Sequence, residues 1–170
     1  MSSNTPSLVL GSPRFTDARL AAIASTNGPL AAWQAACAAD AASAALQATG
    51  DFAVGLQEPS GRTFLAVDRF AIRSLCYRVV DGQIRFAGRA DELADGADID
   101  PQAIFDYLYF HAIPSPRTIF KGVFRLPPGH YALFEQGKLT VAPYWVPTFI
   151  EPRSASFNSL REEFRGLVRT

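Results

Sequence analysis

The N-terminal third of the chain combines one short apolar run with helical patterns. Residues 8–10, Leu-Val-Leu, are followed by glycine and predict a buried strand. Apolar side chains then recur at helical spacing after Thr16, which is predicted to cap that helix. The triplet Asn-Gly-Pro at 27–29 ends this helix, and the alanine-rich segment 29–48 predicts a second helix or a pair of helices.

From Gly50 onward, apolar and polar positions alternate with a period of two, which is typical of β-strands. The dipeptide Asp81-Gly82 lies between two such runs and predicts a two-residue hairpin turn. The predicted strands are 52–57, 63–67, 75–80, 83–88, 131–135 and 138–142. The order of strands and helices therefore predicts an α+β fold, with antiparallel sheet covered by helices.

Two further helices are predicted beyond the first hairpins. Asp100 followed by Pro101 is typical of a helix start, with aspartate at the N-cap and proline in the first turn. One face of this helix carries Ile104, Tyr107, Leu108 and His111. The histidine is expected to be packed or hydrogen-bonded rather than catalytic. A last helical pattern covers 159–168.

The segment 113–130 is predicted to be a loop of fixed shape. It contains four of the chain's twelve prolines and two of its twelve glycines, together with large apolar residues. Each proline restricts its own φ and pushes the preceding residue towards an extended conformation. The apolar residues anchor such a loop on a core, whereas flexible linkers lack them.

Composition narrows the classes of function. Lysine plus arginine and aspartate plus glutamate both total 16, and this zero net charge argues against a nucleic-acid partner. No apolar run approaches the ~20 residues of a membrane span, so no membrane partner is expected. Two cysteines without a secretion signal predict reduced thiols and a cytoplasmic location. With so few cysteines and two histidines, a metal cluster is not expected.

Several sequence words then point in one direction. They are Gly-Asp-Phe-Ala-Val at 50–54, the segment 68–77, Pro-Ser-Pro-Arg-Thr-Ile-Phe-Lys-Gly at 114–122, Leu-Pro-Pro-Gly-His-Tyr at 126–131 and Tyr-Trp at 144–145. In wording, order and spacing they resemble the N-terminal, glutaminase-like half of the asparagine synthase family. The resemblance covers 50–145 well and the remainder loosely.

The resemblance implies an Ntn-amidohydrolase fold, in which two antiparallel sheets lie between helices. It also implies an activity: such domains hydrolyse glutamine and pass the ammonia to a C-terminal synthetase domain that forms an amide. ATP and Mg²⁺ are expected only in that synthetase domain, which is absent here, so no cofactor is expected in this chain.

The resemblance also implies a cysteine nucleophile at position 2, with its own α-amine as base. This chain has Ser2 there, separated from the first predicted strand by polar or turn-forming residues. Because a serine hydroxyl is a weaker nucleophile than a thiol, Ser2 is interpreted as part of a disordered tail and only a weak catalytic candidate. The family's glutamine-holding segments do not fit into the about forty residues between Leu10 and Asp51, so some N-terminal strands are predicted to be lost.

Other reactive side chains are interpreted as structural. Cys37 and Cys76 are predicted to be small buried residues rather than nucleophiles. Asp68 and Arg69 could form a catalytic pair, but they fit better in a loop whose backbone groups they hold. Ala71 stands where the family usually has glycine, and Ser74 stands where it usually has proline. Both replacements suggest that the backbone conformation of that loop is less restricted here.

Together these features predict a degenerate glutaminase-like domain over 1–145, a linker over 146–157 and the start of a missing synthetase domain over 158–170. The leading hypothesis is a scaffold or docking module without glutaminase activity, similar to the N-terminal domains of lasso-peptide cyclases and β-lactam synthetases. The alternatives are an active amidohydrolase that uses Ser2 and a stand-alone module that binds a separate synthetase subunit or a peptide substrate. A homodimer is compatible with each of these.

An interdomain or structural role is predicted for ten residues of the family-like segments. They are Asp68, Arg69, Pro114, Pro116, Arg117, Lys121, Pro127, Pro128, Gly129 and His130. An exposed apolar side is expected where a synthetase would dock.

Overall fold

A computed structural model describes residues 6–150 and 154–169 of the chain. The strands are β1 (Ser7–Gly11), β2 (Arg14–Phe15), β3 (Ala48–Thr49), β4 (Phe52–Gln57), β5 (Thr63–Val67), β6 (Cys76–Val80), β7 (Gln83–Ala87), β8 (Phe124–Arg125), β9 (His130–Glu135) and β10 (Lys138–Pro143). The α-helices are α1 (Ala18–Asn27), α2 (Pro29–Asp40), α3 (Pro101–Phe110) and α4 (Phe157–Arg169). The predicted α+β class is confirmed.

The strands form antiparallel sheets. A five-stranded sheet has the order β1-β4-β5-β9-β10, and a three-stranded sheet has the order β7-β6-β8. The short strands β2 and β3 pair separately. This arrangement of antiparallel sheets with helices is consistent with an Ntn-like fold.

The central strands β4 and β5 are buried on both faces. Phe52, Val54 and Phe64 lie in one apolar cluster with α1 and α2, whereas Leu65 and Val67 lie in a second cluster with the three-stranded sheet. Successive side chains of a strand point to opposite faces, so each strand contributes to both clusters. Because both faces are buried, apolar residues occupy successive positions of these strands.

Trp33 of α2 is the centre of the cluster between helices and sheet. Its ring centroid lies 5.1 Å from the ring of Phe15, 5.1 Å from that of Phe52 and 6.2 Å from that of Phe64. The side chain is completely buried. Large aromatic rings in edge and tilted contacts dominate the energy of such a core.

The start of α1 corrects the predicted cap. Asp17, not Thr16, accepts the hydrogen bond of the Leu20 N–H, at 2.9 Å. The Thr16 hydroxyl instead donates to the carbonyl of Gln47 at 3.2 Å, and the Thr16 N–H donates to the same carbonyl. Pairing of β2 with β3 keeps the chain extended up to this residue, so the helix begins one position later.

The predicted cap of α3 is confirmed, because Asp100 accepts from the Gln102 N–H at 3.0 Å. The apolar face of this helix, however, is not covered by the described residues. Ile104, Tyr107 and Leu108 remain exposed, and within α3 only Ala103 is buried. His111, predicted to be packed or hydrogen-bonded rather than catalytic, is exposed and ends the helix in the left-handed conformation, so it is not packed.

The close contact between the two sheets gives a first test. Gly55 of β4 lies directly against the ring of Phe86, and a Cβ at this position would overlap the ring. We expect Gly55→Ala to lower the free energy of unfolding by about 1–3 kcal/mol, because the ring must move within a packed core. Urea-induced unfolding measures this change.

Gly166→Ala serves as the control for that substitution. Nothing lies within 4 Å of the added Cβ in α4, so it should leave unfolding of the sheet core unchanged. Equal midpoints for wild type and Gly55→Ala would contradict the sheet packing described above.

Candidate functional site

A buried carboxylate shapes the turn after β5. Asp68 is only 2% exposed and accepts hydrogen bonds from the N–H groups of Phe70 at 2.9 Å, Phe52 at 3.2 Å and Ile72 at 3.3 Å. The turn includes Ala71 at φ +49°, a left-handed conformation that glycine adopts more easily. The prediction that Asp68 holds backbone groups is confirmed.

A cleft lies beside this turn, at the end of the five-stranded sheet. Its volume is about 660 Å³, and residues 12–14, 48–52, 68–70 and 72 line it. We call it the sheet-end cleft. At its rim Asp51 accepts from Arg73 Nε at 2.8 Å and from the Ser12 N–H at 3.3 Å. The hydrogen bond from Arg73 holds the pKa of the Asp51 carboxyl below its usual range.

Arg69 does not bind backbone carbonyls. Its guanidinium lies 5.7 Å from the ring centroid of Trp145, a cation–π distance, and the ring of Phe70 contacts the same indole edge-on at 5.5 Å. The prediction that Arg69 fixes backbone groups is therefore wrong, because the nearby indole offers a flat contact for the guanidinium instead.

The loop 113–130 is held on α3 by ion pairs. Arg117 contacts Asp100 at 2.8 Å and Asp106 at 3.2 Å. The carbonyl of Pro114 accepts from the Arg117 N–H, and the carbonyl of Pro116 accepts from the Arg125 N–H. Arg117 donates a hydrogen bond to Asp100, which lowers the pKa of that carboxyl. The prediction of a fixed loop is thus supported by contacts at both of its first prolines.

Two further residues of this loop differ in their contribution. Thr118 is buried, and its hydroxyl donates to the carbonyl of Val123 at 2.7 Å. Lys121 approaches Asp98 only to 3.8 Å, and both side chains are largely exposed. An exposed pair at this distance adds little stability.

The end of the loop connects it to the turn at Asp68. The Gly129 N–H donates to the Asp68 carbonyl at 3.0 Å, and Gly129 has φ +67°, where a Cβ would lie 2.7 Å from the Trp145 carbonyl oxygen. The carbonyl of Pro127 accepts from the His130 N–H. Only glycine fits the backbone conformation and the space at position 129.

His130 makes the backbone contact predicted for it. Its Nδ1 lies 2.8 Å from the Pro128 carbonyl, which can only accept, so Nδ1 carries the proton. Nearby, the Tyr144 hydroxyl donates to the Val67 carbonyl at 2.8 Å, and burial raises the pKa of this phenol above its usual value. These bonds attach the segment after β10 to the sheet.

Both cysteines are buried and free, as predicted. Burial raises the pKa of the Cys37 thiol to about 12, and burial also raises the pKa of the Cys76 thiol. Thiols in such surroundings stay protonated at neutral pH and are poor nucleophiles.

The α3 helix presents an extended apolar surface. Its large exposed side chains are Ile104, Phe105, Tyr107, Leu108, Tyr109 and Phe110, which we call the α3 surface. The rings of Phe105 and Tyr109 stack at 6.2 Å, and Phe110 contacts Tyr109 edge-on at 4.8 Å. Exposed apolar patches occur at protein, membrane and ligand contact sites.

Some predictions fall outside these observations. Ser2 lies outside the described residues, so its interpretation stays a prediction. Across 6–150 and 154–169, no three His, Cys, Asp or Glu side chains are grouped as a metal site. Within the same ranges, no helix has the length and apolar character needed to cross a bilayer.

The structure also reveals features that the sequence patterns missed. The sheet-end cleft and the role of Arg14 in its wall depend on residues from three distant segments, which periodicity cannot bring together. The contact of Arg69 with Trp145 could have been suspected from the sequence, because both residues lie in motifs that carry the family resemblance.

Comparisons with known proteins agree with the resemblance. Residues 33–145 match the model of a family described as a glutamine amidotransferase domain. Asparagine synthetase [glutamine-hydrolyzing] 1 of Bacillus subtilis (strain 168) is 27% identical over 107 residues, which are 61% of this chain and 17% of that protein. The chain therefore spans only a small part of the curated relative's length.

The pairing of Arg117 with Asp100 generates a pH prediction. Arg117→Gln should raise the pKa of Asp100 towards the ordinary aspartate value of about 4, which carboxyl ¹³C NMR measures. In the wild type the folded-state pKa is depressed. The stabilisation is therefore present above the unfolded-state pKa and disappears as pH falls through the folded-state pKa.

Arg89→Gln is the matched control, because Arg89 lowers the pKa of Asp91 in the same way elsewhere on the surface. It should raise the pKa of Asp91 and leave that of Asp100 unchanged. An Asp100 titration that is identical in wild type and Arg117→Gln would show that this ion pair does not hold the loop.

Proposed function

Because this chain belongs to the glutamine amidotransferase domain family, we propose that it is a degenerate glutaminase domain that acts as a docking scaffold for a synthetase. The parent system would be an ATP-dependent, asparagine synthase-like protein that forms an amide or a lactam. ATP and Mg²⁺ would bind in the synthetase part. The α3 surface is the observation that carries this proposal.

The chemistry of the thiols supports the loss of glutaminase activity. The family resemblance implies an exposed cysteine with a nearby amine as base. The chain has two cysteines, and both lie in the core with raised pKa values. Neither can present a thiolate to a substrate from there. Free thiols also fit the reducing cytoplasm, where we place the protein.

The α3 surface supports the docking role. Leu108 is 71% exposed and lies among aromatic side chains that contact one another. Leaving several large apolar groups in water forgoes ~25 cal/mol per Å² of stabilisation, which a partner recovers on binding. Aromatic side chains at the centre of a patch are typical of binding hot spots.

Ion pairs connect the helix to the loop 113–130. Arg117 contacts both Asp100, at the N-cap, and Asp106, in the middle of α3. The loop 113–130 thus contacts the helix at its start and at its middle. A partner then meets a preformed surface and loses less entropy on binding.

A synthetase is the partner that best fits this surface. The matched region is 17% of the related asparagine synthetase, so most of that protein lies outside the match. The same amide-forming role would suit systems such as lasso-peptide cyclases, in which the nitrogen nucleophile belongs to the substrate.

Substitutions on the α3 surface test the docking role. Phe105→Glu and Leu108→Glu should each weaken binding of the synthetase part by about tenfold or more, because a charge is placed in an apolar contact. Val80→Glu, on the exposed end of β6, is the control and should bind like wild type. Calorimetry with the synthetase part gives the affinities.

Sedimentation of the same variants tests whether a second copy of this chain, rather than a synthetase, covers the α3 surface. If wild type is a dimer, the two α3 variants are monomers and synthetase binding is unchanged, the surface binds a second copy and the proposal is wrong. Tight binding of the synthetase part by all variants would contradict it equally.

A further inference from the structure

The sheet-end cleft is lined by two arginines whose guanidinium groups have no carboxylate partner in the described part of the chain, together with exposed apolar side chains. From this combination we propose that the cleft binds a small ligand that carries a carboxylate next to an apolar group. This site goes beyond the proposed docking role, because it lies at the end of the five-stranded sheet and uses none of the α3 surface.

The charges of the cleft leave Arg14 and Arg69 available. Asp51 is paired with Arg73 at 2.8 Å, and the Asp68 carboxylate is occupied by backbone N–H groups. Among the described residues, neither Arg14 nor Arg69 has an ion pair or a side-chain hydrogen bond. Two such arginines in the lining of one cleft favour a carboxylate, which a guanidinium can bind through parallel hydrogen bonds.

Arg69 is also held in place before any ligand arrives. Its guanidinium lies 5.7 Å from the ring centroid of Trp145, and the main-chain N–H of Trp145 donates to the Gly129 carbonyl, which holds the backbone at this residue. A guanidinium on an aromatic face keeps its N–H edge available for an acceptor. Less side-chain entropy is then lost when an anion binds.

The apolar half of the ligand follows from two exposed apolar residues of the turn at 68–72. Phe70 is 71% exposed and Ile72 is 65% exposed, and both line the cleft. The backbone of this turn is fixed by Asp68, so these side chains cannot withdraw into the core. The volume of about 660 Å³ lies within the range of small-molecule sites.

Glutamine fits this combination poorly. Its side chain ends in an amide, which would lose its hydrogen bonds with water against Phe70 and Ile72. A ligand with a hydrocarbon or aromatic group next to the carboxylate would instead bury the apolar surfaces of Phe70 and Ile72, which is favourable. The cleft is therefore expected to prefer an N-acyl apolar amino acid over glutamine.

Titration with N-acetyl-phenylalanine, followed by ¹H–¹⁵N NMR, tests the proposal. We expect saturable shifts of the amides at 12–14 and 68–73. N-acetyl-phenylalaninamide, which lacks the charge, should bind at least roughly tenfold more weakly. Acetate, which lacks the apolar group, and glutamine should also bind more weakly than N-acetyl-phenylalanine.

Two peptides distinguish the sources of such a carboxylate. One ends in a free C-terminal phenylalanine, and the other has an internal Asp-Phe pair and an amidated C-terminus. Preference for the first indicates a terminal carboxylate, whereas preference for the second indicates an acidic side chain. Either preference supports the shared chemistry, and failure of both peptides and of the free acid overturns it.

Substitutions localise the binding. Arg14→Ala and Arg69→Ala should each weaken the binding of N-acetyl-phenylalanine by roughly tenfold. Arg69→Lys keeps the charge, so its affinity should lie between those of wild type and Arg69→Ala. Arg85→Ala on β7 is the control and should bind like wild type. Because Arg14 and Arg69 are exposed, all variants should unfold at the wild-type temperature.

Three results would overturn the proposal. They are the absence of saturable shifts with N-acetyl-phenylalanine, equal binding of the acid and its amide, and tighter binding of glutamine. Binding that survives both arginine substitutions would place the ligand elsewhere and overturn it as well. None of these results depends on the synthetase, so the docking role stands or falls separately.

Discussion

The buried carboxylate of Asp68 organises the strand, the turn and the loop around it. It joins the start of β4, through the Phe52 N–H, to the turn that follows β5. Its backbone carbonyl also accepts from Gly129, at the end of the loop 113–130. Removal of this side chain would leave the buried Phe52 N–H without its carboxylate acceptor, at a cost of about 1–3 kcal/mol, and would also release the partly buried N–H groups of Phe70 and Ile72. One residue thus determines the position of a strand, a turn and a loop.

The surroundings of Asp68 explain why a stable scaffold can also carry two separate exposed features. The aromatic cluster around Trp33 covers one face of the five-stranded sheet, and the second sheet covers the other. Stability therefore does not require α3 to be buried, and Arg117 attaches this helix from one side only. The same fixed turn holds Phe70 exposed beside the sheet-end cleft.

Local chemistry made much of the fold predictable. Asp81-Gly82 and Asp100-Pro101 produced the hairpin and the helix start where they were expected, because turns and caps depend on neighbouring residues. The cap of α1 was misassigned to Thr16, since the pairing of β2 with β3 is a long-range contact. The cleft was missed for the same reason. The exposure of α3 could not be predicted, because an amphipathic pattern does not show whether a helix is covered.

Release of ammonia from glutamine decides whether this domain has lost its glutaminase activity. The proposed domain keeps the scaffold of its family without the glutaminase chemistry, and both thiols lie in the core. Purified wild type, Ser2→Ala, Cys37→Ala and Cys76→Ala should therefore all release ammonia only at the rate of the buffer. Ammonia release by wild type that disappears in Ser2→Ala would contradict the account and identify a working amidohydrolase.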